Sequence, residues 1–254
     1  MSGQKLYLIV LGPAGSGKST LVGSFSEWVE KVQGVDVGRV NLDPGAEYLP
    51  YEPDVDARKY VQVRDLMLRQ KLGPNGALVV SIEVLYEVRS RLLEEIDRLD
   101  SEVIMVDTPG QMELFIFHEA GPAFTLEFSK RGAACALILF DASLTRRPSE
   151  FVSLRLMGLI TQLRLEVPTL IALNKGDLQC SQEVKAWIDN PQTLHEDLLM
   201  EKGVISEIAV RIAKVLDDYS LAMRVPMISA LRSEGLEELY DLIHETWCVC
   251  GDLT

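Results

Sequence analysis

The apolar run Leu6 to Leu11 passes directly into Gly12-Pro13-Ala14-Gly15-Ser16-Gly17-Lys18-Ser19, and helical periodicity takes over from Thr20 to Val32. A buried strand, a glycine-rich turn and a helix in that order leave few folds open. They form the first unit of an α/β sheet that holds a phosphate at one edge, and the octet fits G-x-x-x-x-G-K-[ST]. With no Cβ in the way, backbone N–H groups converge on an anion, and the positive end of the following helix faces the same point. Lys18 would reach the β- and γ-phosphates, and the Ser19 hydroxyl would be a Mg²⁺ ligand. Gly12 to Thr20 is therefore the expected phosphate site.

Composition sets the frame around this loop. A chain of 254 residues, 47% of them hydrophobic, is long enough for one α/β domain with a sizeable core. The formal charge of −13, from 25 basic and 38 acidic residues, argues against broad nucleic-acid or anionic-membrane binding. It leaves nucleotide binding open, which needs only a local positive field. Leu6–Leu11 is too short for a signal peptide, and Ala133 to Phe140 is too short to span a bilayer. Cys135, Cys180, Cys248 and Cys250 are scattered without a paired framework, as expected in a reducing, cytoplasmic setting. His118, His195 and His244 form no cluster.

Short apolar runs alternate with helical patterns, which predicts a three-layer α/β/α sandwich around a mainly parallel sheet. The expected strands are Leu6–Leu11, Val37–Leu42, Val103–Asp107, Ala136–Asp141, Thr169–Asn174 and Val225–Ser229. Open sheets of this kind bind ligands beyond the carboxyl ends of their strands, and the remaining motifs follow those ends. With no repeat or linker, residues 1–254 read as a single domain carrying two helical insertions. The first, about 56–99, holds two helical stretches separated by Gly73-Pro74-Asn75-Gly76. The second, about 180–219, is charge-rich and broken at Pro191; a crossover helix pair and a lid hinged at Gly203 and Asp189-Asn190-Pro191 are both open.

Asn174-Lys175-Gly176-Asp177 matches N-K-x-D at a strand end. An aspartate accepts from both N1–H and the N2 amino group of guanine, a donor pair adenine lacks, and such mismatches discriminate by roughly 10⁴ or more. Asn174 would support the N7 side and hold the loops, and the Lys175 stem would pack along the base. Ser229-Ala230-Leu231 is placed to offer a backbone N–H to the guanine O6. Asp107-Thr108-Pro109-Gly110-Gln111 supplies D-x-x-G and a glutamine. There Asp107 would bind Mg²⁺ through water, the Gly110 N–H would sense the γ-phosphate and Gln111 would orient the attacking water. Asp43, in Asn41-Leu42-Asp43-Pro44-Gly45, is a candidate for the Mg²⁺ shell or for positioning water; an Asx-type turn is the competing reading.

With these residues assembled, the chain closely resembles the GPN-loop GTPases, of the dimerising SIMIBI branch of P-loop NTPases. The carrying features are Gly12–Ser19, Asn41–Pro44, Gly73-Pro74-Asn75, Asp107–Gln111, Asn174–Asp177 and Ser229-Ala230. The resemblance implies a homodimer in which each protomer presents Gly73-Pro74-Asn75 to its partner's nucleotide, hydrolysing GTP to GDP with Mg²⁺. It also implies a role in assembly or transport of large complexes, RNA polymerase being the partner suggested for eukaryotic relatives. Many members of the branch carry an extra lysine where this chain has Pro13, so the Asn75 amide would supply the missing donor in trans. A trans arginine is worth roughly 10³–10⁵ in rate; a neutral amide should contribute less, and slow turnover is expected. One departure is Asp56-Ala57-Arg58-Lys59, where the family tends to place an acid after the arginine. Arg58, Lys59, Arg64, Arg69 and Lys71 would face the nucleotide or partner, or form a solvated helix face; Arg146 and Arg147 read as a solvated loop.

Two rivals use the same phosphate loop: a nucleoside or polynucleotide kinase, and a GTP-binding scaffold that does not hydrolyse. Nothing beyond the loop supports an acceptor site for the first. Gln111 and Asp43 weigh against the second.

Overall fold

A computed structural model of the chain describes residues 5–178, 182–219 and 224–251. Six strands form one sheet in the order β3-β2-β4-β1-β5-β6, and every adjacent pair is parallel. They are β1 (Lys5–Leu11), β2 (Val37–Asn41), β3 (Val55–Asp56), β4 (Val103–Asp107), β5 (Gly132–Asp141) and β6 (Thr169–Asn174). The near-continuous apolar runs of β1, β4 and β6 fit strands covered on both faces.

Alternation along β1 sorts its side chains between two cores. Leu6, Leu8 and Val10 join Leu21, Val22 and Phe25 of α1 (Lys18–Trp28) and Leu239, Leu242 and Ile243 of α10 (Leu236–Gly251). Tyr7, Ile9 and Leu11 turn to the opposite face. There they meet Ile82 and Leu85 of α3 (Pro74–Asp97), Phe124 and Phe128 of α5 (Ala120–Arg131) and Phe151 of α6 (Pro148–Leu165). The expected three layers are present, with α4 (Met112–Phe117) on the α5 side.

Two strand expectations are corrected. β5 starts at Gly132, four residues earlier than Ala136, and a Cβ on Gly132 would stand 2.1 Å from the Lys5 carbonyl oxygen, so only glycine permits that pairing. Val225–Ser229 is not a laddered strand. It touches the sheet through a bridge from Leu173 to Met227, with Ile228 donating to the Leu173 carbonyl at 2.8 Å. Pro226 has no N–H to offer, and the ladder of a seventh strand stops there.

The 56–99 region contains β3, a short turn of helix at Ala57–Lys59, α2 (Val63–Gln70) and α3. Pro74 occupies the first turn of α3 behind Gly73 as cap, a position where its missing N–H costs nothing. In the second segment α7 (Gln182–Asp189), α8 (Pro191–Met200) and α9 (Val204–Tyr219) follow one another. Asn190 caps α8 by accepting from the Gln192 N–H at 3.0 Å. Cys180 and the side chains of Cys248 and Cys250 lie outside the described residues. Among the described residues no helix is long and apolar enough to cross a membrane.

Candidate functional site

Four of the expected loops leave the carboxyl edge of the sheet in register, with the end of β5 beside them: Val10 and Asn41 both stand opposite Asp107, Leu11 opposite Ile138, and Asp141 opposite Asn174. The phosphate loop is shaped by close approach. Gly12, at φ 147, would drive a Cβ to 2.2 Å from the Leu139 carbonyl oxygen, and Gly17, at φ 95, to 2.3 Å from Asn174 Nδ2. Lys18 is buried and curls back, donating from Nζ to the carbonyls of Gly12 at 2.8 Å and Pro13 at 3.1 Å. Burial lowers its pKa, against the opposing charges of Asp107, Asp43 and Glu113. Thr108 ties the D-x-x-G turn to β1 through a 2.8 Å hydrogen bond to the Val10 carbonyl.

Asp107 is fully buried at the end of β4. Its Oδ2 accepts from the Tyr51 hydroxyl at 3.0 Å. Burial pushes its carboxyl up to about 6, although the Ser19 hydroxyl, close by but outside hydrogen-bond geometry, the Tyr51 hydrogen bond and the Lys18 charge favour the ionised form. The same burial, with Asp107 alongside, raises the Tyr51 phenol above its ordinary value. Asp43 accepts from the Gly45 N–H at 2.8 Å on one oxygen and from the Gly110 N–H at 3.2 Å on the other. Burial raises this carboxyl too, opposed by those N–H groups and by Lys18 and Arg58.

The donor set fits a hydrated magnesium ion. Asp107 Oδ1 and Ser16 Oγ are two of only three described buried side-chain polar atoms without a hydrogen-bond partner, the third being Ser24 Oγ. Orphaned buried atoms are costly, and an oxygen ligand waiting in the phosphate site answers that cost. No group of three His, Cys, Asp or Glu able to cage a metal occurs among the described residues. Mg²⁺ suits such a site, since it keeps waters and phosphate oxygens and asks the protein for one or two ligands.

At the base side, Asn174 joins three loops: Nδ2 donates to the Ser16 carbonyl at 2.8 Å while Oδ1 accepts from the Ala230 N–H at 2.9 Å. Of the Ser229-Ala230-Leu231 backbone expected to offer an N–H to the guanine O6, the Ala230 N–H is given to Asn174 and the Ser229 N–H to the Glu234 carbonyl. Lys175, in the left-handed region at φ 64, sends its ammonium to Asp141 at 2.5 Å. Burial works to raise the Asp141 carboxyl, but Lys175 and Ser143 together outweigh it and hold it low. Asp177 is mostly buried and lies 3.4 Å from Arg232 Nε. It lines a groove of about 490 Å³ whose other wall includes Lys185 and Asp189 of α7. Ser229 pairs with Glu234 in both directions, closing the turn that carries Ala230.

Among the described residues, the remaining expected side chains make no hydrogen bond to the phosphate loop, Asp43 or Asp107. Gln111 caps α4 with no side-chain hydrogen bond to that helix. Gly73, Pro74 and Asn75 are exposed at the start of α3, and Asn75 has no hydrogen bond to the phosphate loop, Asp43 or Asp107 among the described residues. Arg146 and Arg147 bring backbone N–H groups to Glu150, shaping the start of α6. Arg58 is bound by Asp56, with Nη2 at 2.7 Å from Oδ2, and donates to the Ala46 carbonyl at 3.1 Å. The missing acid after Arg58 is therefore not needed to hold that arginine. Sequence reading passed over Tyr51: a lone aromatic in a loop has no periodicity, and its placement between Pro50 and Pro53 was the available signal.

A phosphate loop after the first strand, a carboxylate pair beside it and an N-K-x-D turn on one parallel-sheet edge define a P-loop NTPase. A family model described as "Conserved hypothetical ATP binding protein" matches residues 10–249. The chain is 35% identical over 254 residues to GPN-loop GTPase PAB0955 of Pyrococcus abyssi, covering 98% of this chain and 100% of that one. It is 33% identical over 226 residues to GPN-loop GTPase 3 of Dictyostelium discoideum, covering 86% and 79%. The crystal structure of PAB0955, described as a GTPase in apo form, superposes with a TM-score of 0.84 at 33% identity over 96% of this chain and 98% of that one. This chain belongs to the GPN-loop GTPase family.

Proposed function

We propose that the protein binds GTP and hydrolyses it to GDP and phosphate, working as a homodimeric switch in which Asn75 is delivered to the partner's nucleotide. The observation that carries the reading is the gathering of Lys18, Asp107, Asp43 and Asn174–Asp177 at one sheet edge, with Ser16 Oγ and Asp107 Oδ1 left open. Ser19 and Asp107 would hold Mg²⁺, with Asp43 nearby; when bound, the ion screens the charge of the β- and γ-phosphates. Lys18 exchanges the Gly12 and Pro13 carbonyls for phosphate oxygens. Gly110 has one N–H, and Asp43 accepts from it at 3.2 Å. A γ-phosphate oxygen competes for that donor, so the third phosphate frees the Asp43 carboxylate to orient water together with Gln111. Binding that distinguishes GTP from GDP in this way is what a switch requires.

Asp177 selects guanine by accepting from N1–H and the N2 amino group, with Arg232 giving way. Asn174 keeps the phosphate and base loops at fixed separation. The α7–α9 segment is assigned as a lid beside the base, within a single domain. Its cytoplasmic role in assembly or transport of large complexes, RNA polymerase components among the candidate clients, stands on family resemblance alone.

Phosphate release from GTP and ATP tests the central claim. Wild type should strongly prefer GTP, and Asp177→Asn should lose that preference by 10²-fold or more, the scale on which a mispaired buried polar group discriminates. An unchanged preference in Asp177→Asn would refute the base site; labelled phosphate appearing on an acceptor would replace hydrolysis with transfer. The trans claim is separate. Mixing Asn75→Ala with Lys18→Ala protomers should restore part of the activity through one intact composite site, and no recovery in exchanging dimers overturns it.

A further inference from the structure

Tyr51 sits in the connection from β2 to β3, beyond Asn41–Gly45 and within none of the nucleotide motifs, yet its hydroxyl reaches the buried Asp107 carboxylate at 3.0 Å. We propose that Tyr51 is a positioning residue for the magnesium site, holding Asp107 Oδ2 so that Oδ1 is presented to the ion. The inference rests on Asp107 being the magnesium-shell carboxylate and adds the residue that aims it.

Three observations carry this. The two Asp107 oxygens are inequivalent: Oδ2 takes the phenol, while Oδ1 is buried with no hydrogen-bond partner. An aspartate χ2 is broad and roughly two-fold, so a donor fixed on one oxygen sets where the other faces. Second, the donor is neutral. A lysine or arginine there would also orient the carboxylate, but its charge would repel a divalent cation; a phenol orients without that penalty. Third, the phenol is itself held. Pro50 and Tyr51 lie against α1 at Gly23, where a Cβ would stand 3.5 Å from Tyr51 Cβ and 3.6 Å from the Pro50 carbonyl. Downstream, Asp54 accepts from the Arg39 N–H at 2.8 Å and Asn41 donates to Asp56 at 2.9 Å, fastening the connection to β2. Hydrogen-bond partners of metal-ligating carboxylates typically contribute 10–100-fold in metal affinity.

The test uses the full chain loaded with a fluorescent GDP, whose release is timed across a Mg²⁺ series and in EDTA. In Tyr51→Phe the Mg²⁺ concentration that half-maximally slows release should rise about 10-fold, while GDP affinity in EDTA stays within about twofold. Mn²⁺ binding to the GDP-loaded protein, followed by electron paramagnetic resonance, should weaken by the same factor. A phenol with a purely structural role predicts another pattern, equal losses with and without metal, and that result overturns the proposal; so does an unshifted Mg²⁺ midpoint. Asp107→Asn separates this from the parent reading. It should abolish the Mg²⁺ effect; if it does not, the Asp107 assignment fails and Tyr51 with it. If it does while Tyr51→Phe behaves as wild type, only the positioning role falls.

Discussion

A Cβ added at Gly12 would stand 2.2 Å from the Leu139 carbonyl oxygen, whereas one added at Gly73 meets nothing within 4 Å. The two glycines belong to the two motifs that give this chain its most specific sequence signature, and their surroundings are opposite. Around Gly12 the phosphate loop is clamped by Asn174, lined by Lys18 and backed by Asp107, all buried. Around Gly73, α2 has no buried residue at all and its Leu68 is 73% exposed. A helix of 8 residues is too short to be stable by propensity alone, and α2 leans on α3 with one side open. The contrast teaches that the phosphate loop is packed tightly by its own chain, while the Asn75 turn is exposed. That arrangement supports a turn made for another molecule's site.

The largest effect should come from filling the closed side. Gly12→Ala places a methyl against a backbone carbonyl that cannot yield and forces an L residue to φ 147. Steric overpacking and backbone strain together cost about 4 kcal/mol. Urea unfolding should show a loss of that order or no folded protein. A fold retained within about 1 kcal/mol would mean the loop has room to relax, and the contrast with Gly73 would dissolve.

Next in size is a substitution that stabilises. Burial carries the Asp107 carboxyl from 3.8 to about 6. Between those values the folded chain holds a proton that the unfolded chain has lost, so stability falls as pH rises through the window and the loss is complete above it. Asp107→Asn removes that burden and should gain up to about 3 kcal/mol at pH 8 in EDTA. The gain should narrow at pH 5.5. Equal stabilities at both pH values would show that the carboxylate is already satisfied and that nothing at this site waits for a cation.

Much of the closed side was legible from the letters. Leu6–Leu11 running into Gly12–Ser19 fixes strand, turn and helix locally, and Asp107 and Asn174 end strands whose apolar runs are unmistakable. What escaped was non-local. The four residues Gly132–Cys135 lie ahead of the expected strand, and join it because Gly132 lets β5 approach Lys5. Val225–Ser229 looks like a strand, but Pro226 cannot donate to β6. Tyr51 has meaning only beside Asp107, 56 positions away. The open side was legible as helix, break, helix, because Gly73-Pro74 is strong local punctuation. Its purpose is not written in this chain's own packing.

The smallest expected effect sharpens that last point most. Gly76 lies in the first turns of α3, and a Cβ there would come no nearer than 3.7 Å to the Leu72 side chain. Gly76→Ala should therefore raise stability by about 0.5 kcal/mol, the helical advantage of alanine reduced near an end. GTP hydrolysis should remain within about twofold if the turn acts as a preformed helix start carrying Asn75. The same variant with raised stability but hydrolysis down tenfold would be informative in another direction. Nothing in the single chain could object to that methyl, so the obstruction would have to lie in a second molecule packed against the Asn75 turn. Comparing the self-association of the variant with that of wild type would then decide it: an obstruction between protomers weakens the dimer, and a defect inside one chain leaves it unchanged.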